Sequence, residues 1–210
     1  MTTPKARLAG LALIAAMCAG FTLGLTAPAW AGISWDEAEA EAAYDVGDYA
    51  TAFRKWRPLA KQGNAKAQSR LAAMYYMGLG VTQDYAKALK WSRKAAEQGV
   101  AIAQTFVGVI YAEGRGVSQD YAEALKWYRK AAEQGNAKAQ NNLGGMYGNG
   151  HGVTQDYVQA HMWYNLAVSK SPPGKDRNKA VKNRNAVAKR MTPAQISKAQ
   201  KLAREWRPKK

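Results

Sequence analysis

Residues 75–85 read Tyr-Tyr-Met-Gly-Leu-Gly-Val-Thr-Gln-Asp-Tyr, and nearly the same words return at 111–121 and again at 147–157. The spacing is 36 residues. It is kept by Tyr75, Tyr111 and Tyr147, by Asp84, Asp120 and Asp156, and by Trp91, Trp127 and Trp163. A fixed period of this size marks a solenoid, in which each unit buries its apolar face only by stacking on its neighbours.

One unit reads as two helices. From Ala65, the positions Ala67, Leu71, Met74, Tyr75 and Gly78 recur at helical spacing on one face. Gly78-Leu79-Gly80 breaks the pattern, and Val81 is placed to plug the turn. Asp84 is a favourable N-cap for a second helix, whose Ala88, Trp91, Ser92, Ala95 and Ala96 hold one face until Gly99. Asp120 with Glu123, and Asp156 with Gln159, have capping-box spacing. The three tryptophans, fixed in every unit, read as internal packing rather than as stacking platforms.

At these residues the chain resembles the Sel1-like repeat (SLR) family of tetratricopeptide-type α-solenoids. The resemblance rests on Tyr-x-x-Gly-x-Gly-Val-x-Gln-Asp-Tyr, then Ala-x-x-Trp, then Lys-Ala-Ala-Glu-Gln-Gly, over residues 65–169. A half unit precedes it, because Asp48-Tyr49 and Gly63 lie 36 residues before Asp84-Tyr85 and Gly99; it departs in carrying Trp56 one place late. The third unit departs at Leu166-Ala167-Val168-Ser169. The resemblance implies an all-α fold, a right-handed α-solenoid of antiparallel helix pairs, here three and a half repeats closed by a C-terminal capping helix pair. It also implies a concave groove lined by the first helices.

Outside the repeats, Lys5 and Arg7 precede an apolar run from Leu8 to Leu25 that ends in Ala29-Trp30-Ala31. This pattern predicts a signal peptide over 1–31, cleavage near Ala31, and a periplasmic or secreted protein. Cys18 is the only cysteine, so the expected mature chain has no disulfide and no thiolate metal site. Residues 32–64 read as a capping half repeat with an acidic start from Asp36 to Asp48, suited to a solvated end. Residues 170–210 carry 14 Lys and Arg against Asp176 and Glu205, and most of the chain's formal charge of +16 lies here. With an export signal upstream, nucleic acid is not the expected partner. An anionic membrane surface or glycan is, through Lys198, Lys201 and Arg204.

Some members of the resembled family have been associated with penicillin binding and β-lactam hydrolysis, so nucleophile motifs bear on function. No serine is followed three residues later by lysine. The Gly-x-Gly turns lack a Walker lysine. His151 and His161 have no spaced partner and read as ordinary surface or groove residues, with His161→Ala expected to do little. No catalytic residue, metal or cofactor is assigned. The reading is a monomeric interaction scaffold; the alternative is an envelope enzyme or binder acting on peptidoglycan, β-lactams or anionic glycan.

The partner site comes from comparing the first helices. Where the first repeat has Lys66, Arg70 and Ala73 and the third has Lys138, Asn142 and Gly145, the second has Ile102, Phe106 and Val109. This second apolar stripe lies beside the core stripe of Ala103, Val107, Ile110 and Tyr111. With Arg70, Tyr76 and Asn142 around it, the stripe is expected to be an apolar floor with a polar rim for a protein or peptide segment in the groove.

Overall fold

The computed structural model describes residues 35–208, and these form ten α-helices and no strand. The predicted signal peptide lies outside the described residues. The helices are α1 (Trp35–Asp45), α2 (Tyr49–Lys61), α3 (Ala65–Met77), α4 (Tyr85–Glu97), α5 (Ala101–Glu113), α6 (Tyr121–Glu133), α7 (Ala137–Asn149), α8 (Tyr157–Lys170), α9 (Lys175–Ala188) and α10 (Pro193–Glu205). Each packs mainly on its sequence neighbours, apart from α10, which docks on α8 beside α9. This is the antiparallel helix-pair solenoid, and α9 and α10 are its closing pair.

The repeated words are explained by contacts repeated in each unit. Gly78, Gly114 and Gly150 are left-handed C-caps that end α3, α5 and α7. Gln83, Gln119 and Gln155 each donate a side-chain N–H to a carbonyl near the end of that helix, at 2.7–2.8 Å. Asp84, Asp120 and Asp156 accept from the third backbone N–H of the next helix, at 2.8–3.0 Å. The reciprocal half of the capping box does not form at Asp120 or Asp156; the Glu123 carboxylate turns instead to Lys126. The complete box is at the start of α10, between Thr192 and Gln195.

The second glycine of each turn sets the distance between units. A Cβ on Gly116 would come within 2.6 Å of Tyr85 and 2.9 Å of the Ala86 backbone nitrogen, at the start of the preceding second helix. Gly152 stands in the same relation to Tyr121, and Gly80 to Tyr49. These residues also have φ near +65°, so both the steric and the conformational requirement select glycine.

Inside the stack runs a glutamine ladder. Gln68, Gln104 and Gln140 donate back to the carbonyls of Ala60, Ala96 and Ala132. Gln98 and Gln134 then donate to the side-chain oxygens of Gln68 and Gln104, at 2.8 and 2.7 Å. The next rung would come from position 170, which is lysine, and the buried Gln140 Oε1 has no partner. The departure at the end of the third repeat therefore ends the ladder as well as the pattern.

Several expectations are corrected. The preceding half unit is a helix pair, because α1 packs on α2 across the short turn at Val46-Gly47-Asp48, although α1 is out of register with the other first helices. Its acidic residues are not all solvated: Asp36 and Glu39 pair with Lys55, Glu37 with Lys66, and Glu41 with Lys66 and Arg70. Trp127 and Trp163 are buried as expected, but Trp91 is half-buried, with Lys94 over its ring. His161 is not a surface residue. It occupies the apolar column of Leu89 and Leu125, is 4% exposed, and has a buried Nδ1 without a partner. Burial, and then the Arg184 charge, hold its pKa below the ordinary 6.5.

Two predictions follow from this packing. Gly116→Ala should destabilise by about 2–4 kcal/mol, combining the left-handed penalty with overpacking. Gly99→Ala, also at positive φ but with open space around it, should cost only about 1–2 kcal/mol; denaturant melts compare the two, and equal losses would refute the spacing role. Because the native state holds His161 neutral, the unfolded chain binds its proton first as pH falls below about 6.5. Stability should therefore decline from pH 7 toward pH 5, and His161→Leu should remove that part of the slope.

Candidate functional site

A 36-residue column of side chains begins at Trp56 and continues through Ser92, Tyr128 and Tyr164. The apparent one-place shift of Trp56 puts it in this inner column, where it is fully buried. Tyr128 and Tyr164 are buried too, and each ring lies against a glycine of its unit's first helix. A Cβ on Gly108 would come within 2.6 Å of the Tyr128 ring, and one on Gly144 within 2.8 Å of Tyr164. Unit 1 uses the opposite pair: Ala72 stands where the glycines are, and Ser92 where the tyrosines are. Ser92 satisfies its hydroxyl locally, donating to the Leu89 carbonyl at 3.0 Å.

The missing ring leaves a hollow. A cavity of about 330 Å³ opens over Ser92 and Ala72, walled by Phe106, Val109 and Ile102 of α5 and reaching Asn136 and Lys138 at the start of α7. Ile102 is 71% exposed. Phe106 is half-buried and held upright by Tyr76, whose ring meets it edge-on at a centroid distance of 4.9 Å. Tyr76 is itself fixed: its hydroxyl donates to Glu113 at 2.7 Å, its ring meets Tyr85, and the Arg115 guanidinium lies 5.2 Å from its centre. Burial, then the hydrogen bond to Glu113, pushes the Tyr76 phenol up to about 12, so it stays a neutral donor at physiological pH.

The structure thus brings Ile102, Phe106 and Val109 together at one cavity with Tyr76 as a brace. It does not bring Arg70 there. Arg70 is turned to the preceding pair, where it meets Glu41 and lies over the rings of Tyr44 and Trp56. Asn142 is placed one unit on, beside Tyr128 and along a second cavity of about 590 Å³. That cavity shares Asn136 and Lys138 with the first and extends to Pro172, Lys175 and Lys179. Arg70, Phe106 and Asn142 hold equivalent positions in their units, and Phe106 borders the cavity whose floor includes Ser92.

Ser92 lies on the packed face of α4, as the helical spacing predicts, and is fully buried. What the spacing does not reveal is that it lies at the floor of a cavity bordered by Phe106, Val109 and Ile102. The column itself was visible, since Trp, Ser, Tyr and Tyr at a spacing of 36 expose the small member.

The tail residues stand elsewhere. Ala199, Leu202, Ala203 and Trp206 dock α10 on the stack, with Trp206 edge-on to Trp163. Lys198, Lys201 and Arg204 are exposed, and Lys201 lies 3.9 Å from Glu205. His151 stacks on Tyr121 at 4.5 Å. Among the described residues no group of three or more His, Cys, Asp or Glu is placed to hold a metal.

Comparison with known proteins agrees with this architecture. The Sel1 repeat family model matches residues 65–100, 101–136 and 137–172 without a gap. A Sel1 repeat protein from Oxalobacter formigenes, solved by crystallography, is 34% identical over 73% of this chain, with a TM-score of 0.66. A protective antigen of uropathogenic Escherichia coli strains displaying an SLR fold is 29% identical over 81% of this chain, with a TM-score of 0.55. The chain spans 59% and 46% of the lengths of those two proteins. No curated protein matches. Sel1 repeat proteins are typically non-enzymatic, and their fold generally serves as a protein–protein interaction scaffold. With three consecutive repeats over half its length and helix pairs throughout its described residues, the chain belongs to the Sel1 repeat family.

Proposed function

We propose that this protein is an exported scaffold that binds a peptide or protein segment across its first helices, with the cavity over Ser92 as the anchor point. The observation that carries the reading is the 330 Å³ hollow beside the exposed Ile102. The cavity is open to solvent and lined mostly by apolar side chains, as a site for an apolar partner side chain requires. The tyrosine that fills this place in the next two units buries apolar surface worth about 2 kcal/mol or more, and unit 1 forgoes it. A partner side chain entering the hollow recovers that burial on binding. The polar rim and the rigid, braced Phe106 favour an extended segment with one apolar anchor.

Export rests on the residues before the repeats, and attachment to an anionic envelope surface on the exposed Lys198, Lys201 and Arg204. The scaffold acts as a monomer in this reading.

Peptides selected by display on the native protein should bind at least tenfold more weakly to the double variant Ile102→Lys, Phe106→Asn, which copies the third repeat. Its melting should remain cooperative. Undiminished binding by the folded variant would remove the groove from consideration. In cell fractionation, the native protein should be found in the envelope or medium with a mass starting near Gly32. Neutralising Lys198, Lys201 and Arg204 should release it from membranes at low salt; equal retention would reduce these residues to a solvated cap.

A further inference from the structure

The column of Lys66, Ile102 and Lys138 runs along the first helices, one residue per unit, and its three members meet different surroundings. Lys66 is compensated by Glu37 at 3.0 Å and by Glu41 at 3.6 Å. Arg70 beside it is compensated by Glu41 as well. The end of the groove toward α1 therefore presents paired charge. Ile102 stands uncharged and exposed at the mouth of the cavity. Lys138 lines both cavities, at their junction.

Beyond that junction the charge is not compensated. The second cavity is lined by Lys138 from α7 and by Lys175 and Lys179, which are one turn apart on α9. All three are exposed, and none forms an ion pair with a carboxylate of the described residues. Asp176 is the one acidic residue on the lining, which leaves two positive charges in excess. Pro172 and Pro173 form part of the wall. Three like charges around one cavity repel one another, and a carboxylate placed between them relieves that repulsion while gaining charge-assisted hydrogen bonds.

The two cavities adjoin at Asn136 and Lys138, which line both, so a single extended chain can reach from one to the other. We infer that the groove takes an acidic peptide in extended form. An aromatic or large aliphatic side chain fills the hollow over Ser92, and a Glu or Asp a few residues away meets Lys138, Lys175 and Lys179. This rests on the groove reading above and adds the chemistry of the occupant and its direction along the stack. The apolar cavity supplies the anchor, and the lysines select the partner and its orientation, since the paired charges at the α1 end offer no equivalent attraction.

The test uses the protein beginning at Gly32 and two fluorescein-labelled peptides. One carries a tryptophan, a short Gly/Ser spacer and two glutamates; the other has glutamines in place of the glutamates. A set of spacers from one to five residues covers the distance between the cavities. Anisotropy at low salt should show the best acidic peptide binding at least tenfold more tightly than its glutamine counterpart. The triple variant Lys138→Ser, Lys175→Ser, Lys179→Ser should bring the two peptides to within about threefold of each other.

A second variant, Ala72→Gly with Ser92→Tyr, installs the glycine–tyrosine pair that units 2 and 3 already accommodate. It should melt at least as high as the native protein and lose both peptides. Equal binding of acidic and neutral peptides, with both lost in the filled-cavity variant, would overturn the acidic-partner inference and leave the groove standing. Failure of every peptide to bind, or full binding by the filled-cavity variant, would overturn both. Capture of phosphatidylserine vesicles through the same three lysines, with no peptide bound, would overturn the inference in favour of a membrane surface.

Discussion

The stack depends on backbone meeting backbone at the second glycine of each turn. Gly80, Gly116 and Gly152 lie against the N-terminal residues of the second helix one unit back, too close for any side chain. Because this contact recurs in each unit, the spacing between units stays constant and residues 36 apart hold equivalent places. The aspartate caps and the glutamines of the turn hold the chain in the geometry that brings the glycine there. A one-dimensional array of this kind is stabilised by terms within units and between neighbours, so a repeated contact is counted at every joint.

Constant spacing turns variation along a column directly into surface. The Gly108–Tyr128 and Gly144–Tyr164 pairs show how the array fills itself, with a ring entering the room left by an absent Cβ. The Ala72–Ser92 pair reverses both sizes, and a cavity of about 330 Å³ lies beside it. Phe106, packed edge-on against Tyr76, and the exposed Ile102 then border that cavity. The stripe that makes α5 apolar over so much of its circumference is thus divided between core, brace and open wall.

The two ends of the array solve different problems. At the start, the carboxylates of α1 are drawn into pairs with Lys55, Lys66 and Arg70, so this end carries little free charge toward the groove. At the other end the glutamine ladder stops at Gln140, His161 replaces a leucine in the apolar column, and α9 and α10 cover α8 with Trp206 against Trp163. Lys138, Lys175 and Lys179 are left uncompensated around one cavity as a consequence of where α9 begins. The groove is therefore asymmetric along its length, although the units that build it are nearly alike.

The amino-acid sequence alone determined the repeat, the helix pairs, the glycine turns, the aspartate caps and the family, because each rests on local spacing and on backbone requirements that few residues meet. It also marked Ile102, Phe106 and Val109 as unlike their counterparts. Only the tertiary structure decided what covers each face. Periodicity places Ser92 on the inner side of α4 but does not reveal the cavity that Phe106, Val109 and Ile102 form with it. It places Arg70 and Asn142 beside the stripe but does not reveal that one turns to Glu41 and the other to Tyr128. His161 passed for a surface residue because its polarity outweighed its position, whereas packing by α9 buried it. Helical spacing tells which side of a helix faces inward, and the neighbouring elements decide whether inward means core, ion pair or cavity.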